Sequence, residues 1–435
     1  MSNRIHIKSC ELDFIREPLA APFGFKGRYL TELWQTVVRI NSENYNACCP
    51  AVESVLWSDA AVFADNPPAS SSAMMMLVTS RALKMLEGAS FNRPDELIDG
   101  LTEELAKYAE AVCGRPVAET FVLNSLVGID YALWSLYAKE NSIASFDGII
   151  PDYARKALSS RHMSLAHIPL ISYAVTKEQL RETLNSGTAL LKIKIGRAMT
   201  GTHTQEEDMR SMLDWDKKRL TEIHSIASHY KTELTKSGRI LYYLDANGRY
   251  DNKERLCELL EHAEKIGALD RIALLEEPFA PDNEVFVGDL PVTINADESA
   301  HSLLDVKKRL SLGYKAVALK PIAKTMSVSF KMAAAIHEAG AQCLCADLTV
   351  NPLLVEWNKQ FAARTAALEG MKVGCLEVNG HQNYVNWESL KKLLPSGLLC
   401  PPEKNGVFRL DGSFYDNSGL LFEKNGYDKY FENKI

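Results

Sequence analysis

Between about residues 165 and 380, short apolar runs alternate with helical stretches, and this alternation leaves few folds open. Eight runs read as strands: 168–175, 189–195, 240–247, 272–278, 292–299, 315–321, 342–348 and 372–378. Helical patterns fall between most of them, at 177–185, 206–230, 253–266, 302–312, 325–339 and 352–368. Such alternation implies parallel strands joined by crossover helices. Eight strands suit a closed barrel, with an open doubly wound sheet as the competing architecture. The helix over 206–230 is long and charged, and 197–205 before it reads as an insertion on the barrel surface.

The flanks are different. Residues 5–8 and 34–40 read as strands, and 18–29 reads as a loop by its Pro and Gly content. Helices are expected over 70–86, 94–112 and 120–139, the second with a proline near its start. Three segments follow: an α+β capping domain over 1–140 carrying specificity loops, a barrel over 141–385, and a segment over 386–435. That last segment turns loop-like at Pro395, Gly397, Pro401 and Pro402 and is expected to return to the capping domain.

Composition narrows the function classes. Hydrophobic residues make up 46% of the 435, enough for a sizeable core. The net charge is −7 and no basic stripe is present, which argues against a nucleic-acid partner. The first residues carry no apolar run of a secretory leader, and no apolar stretch reads as a membrane span. The nine cysteines have no zinc-like spacing, so reduced, mostly buried thiols in a cytoplasmic protein are expected.

In a strand–helix barrel, active sites gather at the C-terminal ends of the strands. Five consecutive runs end in ionisable residues: Lys192-Ile193-Lys194, Asp245-Ala246-Asn247, Glu276-Glu277-Pro278, Asp297-Glu298-Ser299 and Leu319-Lys320-Pro321. Strand side chains alternate between faces. Lys192 and Lys194 therefore share one face, with Leu191, Ile193 and Ile195 on the other. Ala316, Ala318 and Lys320 likewise share a face, so the lysines point into the barrel.

Three carboxylates on neighbouring strands would repel one another unless a cation lay between them. Oxygen donors of this kind suit Mg²⁺, with Mn²⁺ as a substitute. Asp245, Glu276 and Asp297 form that trio. A metal there would neutralise the oxyanion formed when the carbon beside a carboxylate loses its proton. Lys192 beside Lys194 would disfavour the charged form of its neighbour, leaving Lys194 able to act as a base. Alternatively, Lys192 is an ion-pair partner of Glu298 or Asp297. Singly, any such residue reads as a helix cap or solvated loop residue. Glu277, His301 and His381 read as structural or satisfied polar groups.

These strand ends, in this order, resemble the enolase superfamily, and within it the muconate-lactonising-enzyme and mandelate-racemase-like subgroup. The resemblance implies an α/β fold: a modified TIM barrel of (βα)7β type, with an α+β capping domain completed by the C-terminal tail. It implies that Lys194 and Lys320 are paired acid/base groups on opposite sides of the substrate carbon. Asp245, Glu276 and Asp297 are the implied Mg²⁺ ligands, with Lys192, Asn247 and Glu298 in support. Dipeptide epimerases of this subgroup often carry Asp-x-Asp at the eighth strand to hold an ammonium; here the run is Glu377-Val378-Asn379. Phe25, Asp347 and Glu377 are candidate substrate contacts.

The expected function is removal of the proton next to the carboxylate of a small molecule, by a racemase, epimerase or cycloisomerase. A dehydratase or lyase of the acid-sugar or o-succinylbenzoate-synthase type would use the same site, and a Schiff-base lysine enzyme is a third reading. The expected assembly is a homo-oligomer, with neither nucleic acid nor membrane as a partner.

Overall fold

The computed structural model describes residues 4–25, 28–197, 204–398 and 404–432, with the side chains of 23–25 and 28 left out. After a two-residue strand at Ile5–His6, which pairs with Ser90–Phe91, come three antiparallel strands: β1 (Ser9–Phe25), β2 (Arg28–Asn41) and β3 (Asn46–Val52). The stretch read as a loop over 18–29 is instead the far end of the β1–β2 hairpin. Its ladder breaks between Pro18 and Phe23, where Pro18 and Pro22 have no N–H to offer, and resumes with Phe23 opposite Leu30. The side chain of Phe25 lies outside the described part.

Helices α1 (Pro68–Leu86) and α3 (Glu119–Glu140) pack on this sheet and α2 (Pro94–Cys113) packs on both of them, all within two residues of the sequence expectation. By length and composition α3 could cross a membrane, contrary to the sequence reading, but 94% of its apolar window is buried inside the fold. An all-round apolar helix is what such a central position requires.

The barrel is built from β4 (Ser164–Ile168), β5 (Leu170–Ile171), β6 (Leu190–Lys194), β7 (Leu241–Asp245), β8 (Ile272–Glu276), β9 (Ile294–Ala296), β10 (Ala316–Leu319), β11 (Gln342–Cys345) and β12 (Gly374–Glu377). All these neighbours pair in parallel, in chain order from β5 round to β12, and β12 then pairs with β4. The sheet therefore begins and ends on the same stretch, 164–171, and curls round on itself. The first strand starts earlier than the expected residue 168. It splits at Pro169, which lacks an N–H and whose carbonyl accepts from Lys192 N at 3.1 Å.

The expected alternation holds. Leu191, Ile193 and Ile195 join the apolar cluster that meets the outer helices. Leu190 instead joins Ala166, Ile168, Tyr243, Leu274, Ala316 and Leu344, which fill the barrel interior. Helix α4 (Gln205–Ala227) follows the second strand, opened by a capping box of Thr204 and Glu207. Residues 198–203, within the expected insertion, lie outside the described part.

The capping unit and barrel are tied through α3. Asp130 Oδ2 accepts from Met326 N at 2.7 Å and Ser327 N at 3.1 Å, at the start of α5 (Met326–Glu338). The tail touches both units. Its strand β13 (Val407–Arg409) pairs antiparallel with β4, while Asn425 Nδ2 donates to Cys48 O at 2.7 Å and Phe431 lies under Arg39 at 4.8 Å.

Candidate active site

The strand register sets the level of each side chain. In the ladder Lys194 lies opposite Asp245, Asp245 opposite Glu276, and Glu276 opposite Asn295. One layer deeper, Lys192 lies opposite Tyr243, with its ammonium 4.9 Å from the ring centre. Asp297 and Lys320 each follow directly on the ends of β9 and β10. Lys192, Lys194, Asp245, Asp297 and Lys320 line one cavity of about 860 Å³, roofed by Leu19, Leu30 and Leu33 from the β1–β2 hairpin and by Trp57.

Ammonium and carboxylate groups interleave across this mouth. Lys194 Nζ donates to Asp245 Oδ2 and to Asn247 Oδ1, each at 2.6 Å. Asn247 Nδ2 in turn donates to Glu298 Oε1 at 2.9 Å. Lys192 Nζ lies 3.0 Å from Glu276 Oε1, 3.2 Å from Glu377 Oε2 and 3.3 Å from Asp245 Oδ2. Lys320 Nζ reaches Asp297 Oδ2 at 2.5 Å and sits 4.9 Å from the Trp57 ring centre.

Electrostatics follow from this pairing. Burial would raise the Asp245 carboxyl, but Lys194 and Lys192 outweigh it and hold it down to about 2. Burial works against the charge on Lys192, yet Glu276, Glu377 and Asp245 raise it well above the ordinary lysine value. Lys192 is thus an ion-pair partner, as one of the two sequence readings has it, but its ion pairs are with Glu276, Glu377 and Asp245 rather than with Glu298 or Asp297. Lys320 is likewise raised by Asp297 against the effect of burial. Burial pushes Glu298 up to about 8, with Asp297 and Asp245 adding to it.

Glu377, expected at the substrate, is one of the partners of Lys192. Asp347 lines the cavity, where its Oδ2 accepts from Asn379 N at 2.6 Å; burial, then Glu377, push its carboxyl up to about 6. Glu277, read as structural, accepts from Asp297 N, Ser299 N and Ser299 Oγ at 2.7, 3.2 and 3.0 Å, and so fixes the turn that carries Asp297.

Two groups escaped the sequence reading, and a third, His301, reads there as a satisfied polar residue. Trp57 supplies an aromatic wall beside Lys320. Lys324, fully buried, donates to Ala300 O at 2.7 Å, and burial lowers it to about 8. His301 meets Thr120 Oγ1 at 3.2 Å across the junction with the capping unit. Of the two that escaped, only Trp57 carried a signal, as a polar-tipped ring of the capping unit.

The residues fit a divalent cation in one respect and not yet in another. Glu276 Oε1, Asp297 Oδ1 and Glu298 Oε2 are buried acceptors without a hydrogen-bond donor; Lys192 approaches Glu276 Oε1 but not in hydrogen-bonding geometry. Orphaned carboxylate oxygens on adjacent strands are the donor set a hard cation takes. As arranged, however, no group of three or more His, Cys, Asp or Glu among the described residues converges to hold an ion. Lysine ammoniums stand between the carboxylates instead.

Neither a family model nor a curated protein matches the chain. Solved structures do. The L-Ala-D/L-Glu epimerase from Bacillus subtilis is 16% identical with a TM-score of 0.64, covering 93% of this chain and 96% of its own. A dipeptide epimerase from Methylococcus capsulatus, complexed with Mg and the dipeptide L-Arg-D-Lys, is 18% identical with a TM-score of 0.61, covering 97% and 99%. The N-succinyl Arg/Lys racemase from Bacillus cereus ATCC 14579 is 15% identical with a TM-score of 0.62, covering 97% and 94%. The chain has the enolase-superfamily fold. The barrel and its antiparallel N-terminal unit are thus arranged as the strand-end order implied.

Proposed function

We propose that this protein is a divalent-metal-dependent racemase or epimerase that removes the proton next to the carboxylate of a small molecule. The observation that carries the reading is the placement of Lys194 and Lys320. They line one cavity from strands four steps apart in an eight-strand ring, with the carboxylates of the three intervening strands between them.

Asp245, Glu276 and Asp297 are the residues that would hold Mg²⁺ or Mn²⁺. When bound, the ion supplies positive charge to the substrate carboxylate as its neighbouring carbon becomes acidic. Lys194 takes the proton from one face, oriented by Asn247 and in turn by Glu298. Lys320 returns a proton from the opposite face, steadied by Asp297 and by the Trp57 ring. Lys192 neutralises the buried carboxylate layer beneath. The hairpin leucines and Trp57 exclude water from the carbon that is deprotonated.

In D₂O with a true substrate, each enantiomer should exchange its α-proton. Lys194→Ala and Lys320→Ala should each suppress exchange from a different enantiomer, by a factor on the order of 10²–10⁴. Turnover surviving the loss of either lysine would sink the two-base reading and favour a one-base elimination or cycloisomerisation.

A further inference from the structure

We propose that Arg249 is a specificity-determining cation that receives a second carboxylate of the substrate, so that the acid turned over is a dicarboxylate. The inference rests on the proposed reaction and narrows its substrate class. Arg249 lines the cavity four residues beyond the end of β7. The turn that carries it is fixed: Gly248 N donates to Glu277 O at 2.6 Å, Arg249 N to Ala246 O at 3.2 Å and Tyr250 N to Pro278 O at 2.9 Å. Gly196, at φ +70°, gives the side chain its bed, because a Cβ there would come within 3.0 Å of Arg249 Cβ and 2.9 Å of Ala246 O. The arginine stem thus packs against the chain two residues past Lys194. Nη1 donates to Gly196 O at 3.2 Å, and the guanidinium makes no other hydrogen bond or ion pair among the described residues. None of its nitrogens is both buried and unpaired, so the remaining N–H groups face open space. Asp216 on α4 feels this charge but is spent elsewhere: its oxygens accept from Gly196 N at 3.0 and 2.8 Å and from the Tyr250 hydroxyl at 2.8 Å.

The other cations lining the cavity are matched. Lys192, Lys194 and Lys320 each face carboxylates, and Lys308 meets Glu284. Arg309 spends all three nitrogens on the carbonyls of Ser299, Asn283 and Pro281. Two lining acids, Asp347 and Glu298, have no ion pair among the described residues. Glu298 is held by Asn247. Asp347 follows β11, four steps round the ring from β7. A second carboxylate laid toward Asp347 would meet like charge. Laid toward Arg249, it meets an unmatched guanidinium whose planar fork suits two carboxylate oxygens. An uncharged arm gains less there, since a hydrogen bond between charged partners is about twice as strong as one between neutral groups.

The test uses the full chain with Mg²⁺ and two pairs of compounds that differ chiefly in charge: N-succinylalanine against N-succinamoylalanine, and N-acetylglutamate against N-acetylglutamine. The pairs place the second carboxylate on the acyl arm or on the side chain. For at least one pair, wild type should favour the charged member by about 10- to 100-fold, both in kcat/KM for α-proton exchange in D₂O and in calorimetric affinity. Arg249→Met keeps the stem against Gly196 and should erase that preference, through KM more than kcat, while Arg249→Lys should restore part of it. A wild-type ratio near one in both pairs would overturn the inference. So would an equal loss on both members of a pair in Arg249→Met, which would assign the arginine to holding the loop. Exchange on none of the four, with the calorimetric preference intact, would overturn the reaction and leave the site standing.

Discussion

Glu53 carries a carboxyl group into the interior of the capping unit, just past β3, with neither oxygen hydrogen-bonded. Burial pushes it up to about 8; the Thr36 hydroxyl opposes the shift but is not in hydrogen-bonding geometry. An unfolded glutamate titrates near ~4.3. Between those values the folded chain keeps a proton that the unfolded chain has lost, so folding stability falls as pH rises through that window. Below it both states are protonated and the contribution is fully present. Glu53→Gln removes the titration. The variant and wild type should have similar urea midpoints at pH 5. At pH 8 the variant should be the more stable, by on the order of 1–4 kcal/mol. A difference that does not change between the two pH values would show that Glu53 is charged in the fold.

At the scale of elements, the joint between α3 and α5 deserves a direct measurement. The first N–H groups of a helix have no partner within it. For α5 two of them are satisfied by Asp130 from the capping unit, while Thr325 Oγ1 takes Val328 N at 3.2 Å. Trp134 Nε1 adds a bond to Ser327 Oγ at 3.0 Å. Asp130→Ala leaves two buried donors open and should lower unfolding stability by about 2–4 kcal/mol, read by urea titration; an unchanged midpoint would mean that water or a shifted α5 takes its place. This joint could not be read from the chain, because Asp130 and Ser327 are distant in sequence and look like ordinary helix residues. The same holds for Glu377 and Lys192, 185 residues apart. What was legible was periodic or local: strand alternation around Lys192 and Lys320, the lengths of α1 to α3, and the ordered strand ends. The 18–29 stretch misled because Pro and Gly signal a loop, whereas long partner strands carry the hairpin across one irregularity.

For the molecule as a whole, the proposed ion links the stability of the barrel to solution conditions. Asp245, Glu276 and Asp297 come from three strands and are neighbours only in the folded ring, so a divalent cation that they hold would bind the native chain and not the unfolded one. Such a ligand stabilises by an amount that grows with the logarithm of its concentration, about 2.7 kcal/mol at a hundred times Kd. In its absence the lysines already balance the carboxylates, so the apo protein should remain folded in EDTA rather than collapse. Adding Mg²⁺ or Mn²⁺ at millimolar levels should raise the thermal midpoint, and NaCl at matched ionic strength should not reproduce the rise, since screening alone gives no site. Glu276→Gln and Asp297→Asn should lose the rise. Each also removes a negative charge facing Lys192 or Lys320, so their metal-free midpoints should fall, because a buried ammonium loses its partner. Lys194→Ala takes away a cation that competes for Asp245, and should keep the metal response or steepen it. A wild-type midpoint that stays flat in both metals would remove the cation from the proposed chemistry, whatever the exchange assays find.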